Sequence, residues 1–176
     1  MPQSIDVNVQ FNTKVAVSSV TRPANTIDYT AGDVVSTVTD AHFTFVDAAR
    51  PGTQNKQLGG SIATARLHSS ANVATKMDAE LWLFHTDIAE VADNSAFAPT
   101  DAEMLTLVGV IDFATANWKA GIATAGTAGN AVCEAFNLGL AFKSATTTLY
   151  GQLVVRNAYV PVSGEVFTAE LVISRD

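Results

Sequence analysis

The sequence has a single cysteine, Cys133, in 176 residues. A lone thiol closes no disulfide within the chain and builds no thiolate metal cluster, so the apolar core must hold the fold. Its neighbours Val132 and Glu134 supply no cation to lower its pKa, which makes it a buried structural thiol rather than a nucleophile. Positive charge is also scarce: 10 Lys and Arg stand against 17 Asp and Glu, for a formal charge of −7. The basic residues are scattered from Lys14 to Arg175 and no two are adjacent. Binding to phosphates or to anionic lipid needs clustered Lys and Arg, so neither nucleic acid nor a membrane surface is expected as a partner. Long apolar runs are missing, since the most apolar piece, Ala131 to Phe142, is broken by Glu134 and Asn137. No stretch approaches the ~18 apolar residues of a spanning helix. The opening MPQSIDVNVQF has neither a basic region nor an apolar stretch after it, and no cleaved secretory signal is expected.

What the chain does contain is Ala, Thr and Val, 28, 20 and 20 of them, within a hydrophobic content of 48%. Val and Thr are stiff at χ1 and suit a pleated sheet, so the composition leans towards strand. The length fits one domain, residues 1–176, burying roughly 70% of its unfolded surface.

Period-two alternation recurs, as expected of strands with one buried face. Ile5, Val7 and Val9 alternate with polar residues, making residues 1–10 an arm or edge strand, and Val15 and Val17 follow. Further strands are predicted around Phe43 and Phe45, from Ile62 to Leu67 after a Gly59-Gly60 turn, and from Leu105 to Phe113. Two more run from Leu149 to Val155 and from Val166 to Ile173, the last with Phe167, Ala169, Leu171 and Ile173 on one face. Around Leu81 and Leu83 the other face carries Trp82 and Phe84, which predicts a strand covered on both sides. About nine or ten strands are expected. Helix signals are few: Thr100-Asp101-Ala102-Glu103 has capping-box spacing, and Asn72 to Asp78 suits one turn. Two connections, Thr53 to Gly60 and Ala114 to Asn130, are too long for hairpins. The fold class predicted is all-β: a two-sheet antiparallel β-sandwich, a jelly roll with accessory strands and one or two short helical turns.

Catalytic and metal signatures are absent from the sequence. His42, His68 and His85 form no H-x-H pair and no H-E-x-x-H, so no metal site is assigned. Asp87, Glu90, Asp93, Asp101, Glu103 and Asp112 lie in a stretch without Lys or Arg from Lys76 to Lys119. They lack the D-x-D-x-D-G pattern of a calcium loop and read as a solvated acidic loop, or else a contact for a basic partner. Ser61 after Gly59-Gly60 lacks the G-x-S-x-G flanks. Gly121 to Gly126 has phosphate-loop spacing but is followed by Thr127-Ala128, without the lysine. No catalytic residue, cofactor-binding residue, metal ligand or cofactor is expected, and the chain reads as a non-enzyme.

The segment Thr21 to Val35, T-R-P-A-N-T-I-D-Y-T-A-G-D-V-V, resembles the opening block of structural proteins of tailed-bacteriophage virions, with looser similarity through Gly59-Gly60-Ser61-Ile62 and Ala79 to Asp87. In that block Pro23 and Gly32 shape turns and Tyr29 packs over the entry to Val34 and Val35. The resemblance implies a capsid decoration (cement) or minor structural protein that stabilises the outer surface of the capsid. Its implied partners are the phage major capsid protein and its own copies, as a homo-oligomer (trimer or dimer). Its implied place is the virion, assembled in the host cytoplasm. Residues Met1 to Val9 or the Thr53–Gly60 loop would then meet the shell or a neighbour. A tail-tube or fibre-base subunit is the second reading. The third is a carbohydrate-binding jelly roll, with Trp82, Trp118 and Tyr150 as stacking faces and Trp82 read more readily as core.

Overall fold

The computed structural model describes residues 13–49, 58–121 and 130–175. In chain order the strands are β1 (Thr13–Thr21), β2 (Val34–Val35), β3 (Phe43–Phe45), β4 (Leu58–Ser69), β5 (Ala79–Phe84) and β6 (Leu107–Phe113). They continue with β7 (Trp118–Ala120), β8 (Ala131–Ala135), β9 (Leu140–Ser144), β10 (Leu149–Val155) and β11 (Val166–Arg175). One helix, α1 (Asp101–Met104), and one 3-10 turn, Thr115–Asn117, complete the described elements.

All the pairings are antiparallel and form two sheets. One has the order β1-β11-β4-β8-β7 with β9 also on β4, and the other β2-β10-β5-β6 with β3 also on β10. Two strands are interrupted: β2 and β3 share the flank of β10 away from β5, and β8 and β9 share the flank of β4 away from β11. Merging each pair leaves nine strands, and with β7 set aside the eight that remain are ordered first-eighth-third-sixth and second-seventh-fourth-fifth. That is the order of a jelly roll, with β7 as an accessory. The eleven segments exceed the nine or ten expected because of these interruptions.

The core fills the space between the sheets. Phe167, Ala169, Leu171 and Ile173 on β11 are fully buried, as their alternation predicts, and Leu81, Leu83, Ile111, Phe113, Leu149 and Leu153 meet them from the other sheet. Each large side chain so buried contributes roughly 1.5–3 kcal/mol.

Strand β1 departs from expectation. Val15 and Val17 are 49% and 51% exposed, whereas Ala16 and Val20 are buried. The register decides this, because Ala16 pairs with Leu171 and Val20 with Phe167, both inward-facing residues of β11. Ser18 shares that inner face, and its hydroxyl accepts a hydrogen bond from the Thr44 N–H at 2.8 Å, tying β1 to β3.

Gly59 and Gly60 also differ: they lie within β4, not in a turn. A Cβ on Gly60 would sit 2.8 Å from the Ser174 carbonyl oxygen and 3.0 Å from Ile173 Cγ2, so glycine is there to let β11 approach. Helix α1 forms as its sequence predicts, with Glu103 Oε2 accepting from the Thr100 N–H at 2.7 Å and Thr100 Oγ1 accepting from the Glu103 N–H at 3.3 Å. The turn expected at Asn72 to Asp78 is not helical. Its backbone is claimed from outside: Trp118 Nε1 donates to the Met77 carbonyl at 2.7 Å, Asn157 Nδ2 to the Lys76 carbonyl at 2.9 Å, and the Asp78 N–H to Asn157 Oδ1 at 2.9 Å. The connection from Ala114 to Asn130 contains the 3-10 turn and β7, and its residues 122–129 lie outside the described residues. So do the arm at residues 1–10 and residues 53–57 of the other long connection.

Replacing Gly60 with Ala should destabilise the protein by about 1–3 kcal/mol, since the obstruction is backbone and not a movable side chain. Urea unfolding reads this as a lower midpoint, and an unchanged midpoint would contradict the packing described.

Candidate functional site

The Thr21–Val35 block folds around a buried guanidinium. Arg22 is 1% exposed. Its Nε donates to Tyr29 Oη at 3.0 Å, its Nη1 to the carbonyls of Asn25 at 2.6 Å and Val162 at 3.2 Å, and its Nη2 to Asn25 Oδ1 at 3.0 Å. Nη2 also lies 3.7 Å from Asp93 Oδ2. Asp93 Oδ1 accepts from the Tyr29 hydroxyl at 2.6 Å and from the Ser36 N–H at 3.0 Å, so one carboxylate joins the block to the chain just beyond β2.

Tyr29 stacks on Tyr159, with ring centroids 6.4 Å apart, and the two residues exchange backbone hydrogen bonds at 2.9 and 3.2 Å. Tyr159 donates to Glu165 Oε1 at 2.7 Å, and that oxygen also accepts from Ser69 Oγ. The Val162 N–H completes the carboxylate at Oε2, 3.1 Å away. Burial, reinforced by the neighbouring carboxylates Asp93 and Glu165, pushes both tyrosine hydroxyls well above the usual phenol range. They therefore act as neutral donors. Tyr29, Tyr159 and Glu165 are shut off from solvent like Arg22, so the network ties loops together and presents no face to a substrate.

The three histidines meet separate partners. His42 Nε2 lies 3.1 Å from Asp87 Oδ1, His68 Nε2 lies 3.7 Å from Glu170 Oε1, and His85 Nδ1 pairs with Thr86 Oγ1 at 3.2 Å. Among the described residues no group of three or more His, Cys, Asp or Glu side chains is placed to hold a metal ion. The acidic stretch is not one solvated loop. Asp93 belongs to the buried network, and Glu103 caps α1 and also accepts from the Ala89 N–H at 2.8 Å. The backbone N–H groups of Ala89 and Thr100 hold the Glu103 carboxyl below its ordinary pKa. Asp87, Glu90, Asp101 and Asp112 remain exposed.

The three aromatic residues considered as stacking faces are otherwise engaged. Trp82 is half-buried on the outer face of its sheet, where Nε1 donates to Glu80 Oε2 at 2.8 Å and Phe97 packs edge-on at 5.5 Å. This corrects its reading as core, while the expectation that β5 is covered on both sides holds. Trp118 packs against the core, and Tyr150 meets the His42 ring at 5.8 Å. Phe136, which no sequence motif marks, is the one aromatic side chain among the described residues that is largely exposed, at 58%.

No family model matches the chain, and no curated protein matches it. Among solved structures, it is similar to the cyanophage Pam1 capsid asymmetric unit with 17% identity and a TM-score of 0.37, over 99% of this chain and 93% of that one. It is also similar to the catalytic domain of a GH87 alpha-1,3-glucanase with 8% identity and a TM-score of 0.31, over 95% of this chain and 28% of that one. Both superpositions are too loose to carry an argument about function.

Two measurements check the geometry of this region. Replacing Arg22 with Met should cost about 3–5 kcal/mol in urea unfolding, because Asp93 is left buried without its cation. Tyr29→Phe, which removes one hydroxyl and leaves the cation, should cost about 1–2 kcal/mol. Cys133 is buried, and burial pushes its thiol up to about 11, so at pH 8 a thiol reagent should label it only after denaturant is added.

Proposed function

We propose that the chain is a non-enzymatic structural protein of a tailed-phage virion that decorates the outer surface of the capsid and stabilises it. On this reading it binds the major capsid protein as a small homo-oligomer, a dimer or trimer. The observation that carries the reading is the construction of the Thr21–Val35 block, on which the resemblance to virion proteins rests. Its polar residues Arg22, Asn25 and Tyr29 are used up in internal hydrogen bonds, leaving a rigid module with no free reactive group among them.

Three apolar side chains are exposed on or beside that module, where a partner would dock. Ile27 is exposed on the block itself, and Val160 and Val162 are exposed on the loop hydrogen-bonded to it. Exposed apolar side chains on rigid backbone are the usual makings of an association surface, because little ordering entropy remains to be lost on docking. Strand β1 adds Val15 and Val17 along a sheet edge.

Purified protein mixed with undecorated capsids should co-sediment and saturate, and the pair Ile27→Asp and Val160→Asp should weaken the binding about tenfold or more. Absence of co-sedimentation counts against decoration. Native mass separates the readings further, since a small closed oligomer fits decoration whereas rings or polymers fit a tail tube.

A further inference from the structure

On the side of the sandwich where β6 and β8 lie near one another there is an open groove of about 500 Å³. It opens where, among the described residues, both strand edges lack a partner. Among the described residues β6 pairs with β5 alone, and β7 covers β8 no further than Cys133. Beyond Ala135 the chain leaves the ladder for four residues, Phe136 to Gly139, before β9 resumes. The excursion is tightly specified: Asn137 and Gly139 take left-handed backbone with φ of 56° and 57°, and the Leu138 N–H donates to the Ala63 carbonyl at 3.0 Å. Leu138 packs against the core while Phe136 stands out into the groove. A left-handed residue other than glycine is uncommon, though Asn tolerates it best. Here it sets the backbone so that the Phe136 ring is exposed beside the groove.

Val110 and Leu138 extend the apolar part of the groove beside that ring. Its polar part is mixed: the Asp112 and Glu134 carboxylates accept, the Lys119 ammonium donates, and the Asn117 amide does both. Glu134 is held in position by Arg66 Nε at 2.7 Å.

The geometry points to a binding site for a short neutral saccharide. A sugar ring offers an apolar C–H face to Phe136 and hydroxyls that both donate and accept around its rim, which is the inventory the groove supplies. The volume falls in the range of about 300–1,000 Å³ of small-ligand sites. Charged peptides fit worse, because a basic one meets Lys119 and an acidic one meets Asp112 and Glu134. An apolar strand would leave those groups desolvated and unpaired. The site is separate from the surface around Ile27 and stands or falls independently of the virion role.

Saturation-transfer NMR with maltotriose, cellotriose and chitotriose tests it on the full chain. At least one trisaccharide should show transfer to its ring protons. Binding should be at least about tenfold weaker in Phe136→Ala, retained in Phe136→Trp, and weakened in Asp112→Asn, while Ile27→Asp leaves it unchanged. Thermal melts confirm that each variant is folded, and if Phe136→Ala is not, the Phe136→Trp and Asp112→Asn pair decides. No transfer to any of the three overturns the proposal, as does binding that survives Phe136→Ala, or an extended peptide that perturbs Val110 and Phe136 where the sugars do not.

Discussion

The architecture depends on one buried positive charge. Desolvating a guanidinium costs several kcal/mol unless its N–H groups are matched and an anion is near, and Arg22 meets that demand by drawing on three separate parts of the chain. The loop after β1 supplies Asn25 and Tyr29, the loop before β11 supplies the Val162 carbonyl, and the long connection between β5 and β6 supplies Asp93. These contacts fix the three loops together. The partner carboxylate Glu165 does the same on the far side of the tyrosine pair, drawing in Ser69 at the end of β4.

Fixing Asp93 also fixes the connection that carries it, and the two sheets become unequal. That connection runs beside β2, where the Val34 N–H donates to the Ser95 carbonyl and the Phe97 N–H to the Gly32 carbonyl, both at 2.9 Å. Phe97 then covers Trp82 and Phe84 on the outer face of β5. The middle of the sheet containing β10 is thus covered on both sides, while β6 keeps Val110 and Asp112 exposed at its edge, and Gln152 is fully buried, with its amide given to the Val35 carbonyl at 3.0 Å. The other sheet keeps an open outer face bearing the Arg66, Glu134 and Glu170 ion pairs next to Val15 and Val17.

Much of this could be read in the residues, but only where local pattern and tertiary demand coincide. The alternation of β11, the two-sided apolar character of β5 and the capping box of α1 are all local signals, and all three appear as predicted. Strand β1 was read one residue out of phase, because Val outranks Ala in any apolar count while the register with β11 selects Ala16 and Val20. Gly59-Gly60 suggests a turn by composition; only the approach of Ser174 from a distant strand explains it as strand. Asp93 sits in an acidic stretch with nothing nearby in sequence to mark it as the partner of Arg22, 71 positions earlier by residue number. Phe136 is hidden similarly, since its exposure follows from a left-handed excursion that the Asn and Gly in F-N-L-G permit but do not require.

The pairing of β1 with β11 bears on how the chain reaches this state. The ladder joins the earliest and latest of the described strands over nine residue pairs, from Thr13↔Ser174 to Thr21↔Val166. A polypeptide emerging from the ribosome holds β1 without this ladder partner until β11 has been synthesised. The sheet that contains β1 is therefore completed only once β11 is available, and such wide loop closure makes the search slow, on the scale of milliseconds to seconds or longer. Throughout that wait Val15, Ala16, Val17 and Val20 lie on a segment without its ladder. Crowding and chaperone supply during synthesis would then govern yield more than the final stability does.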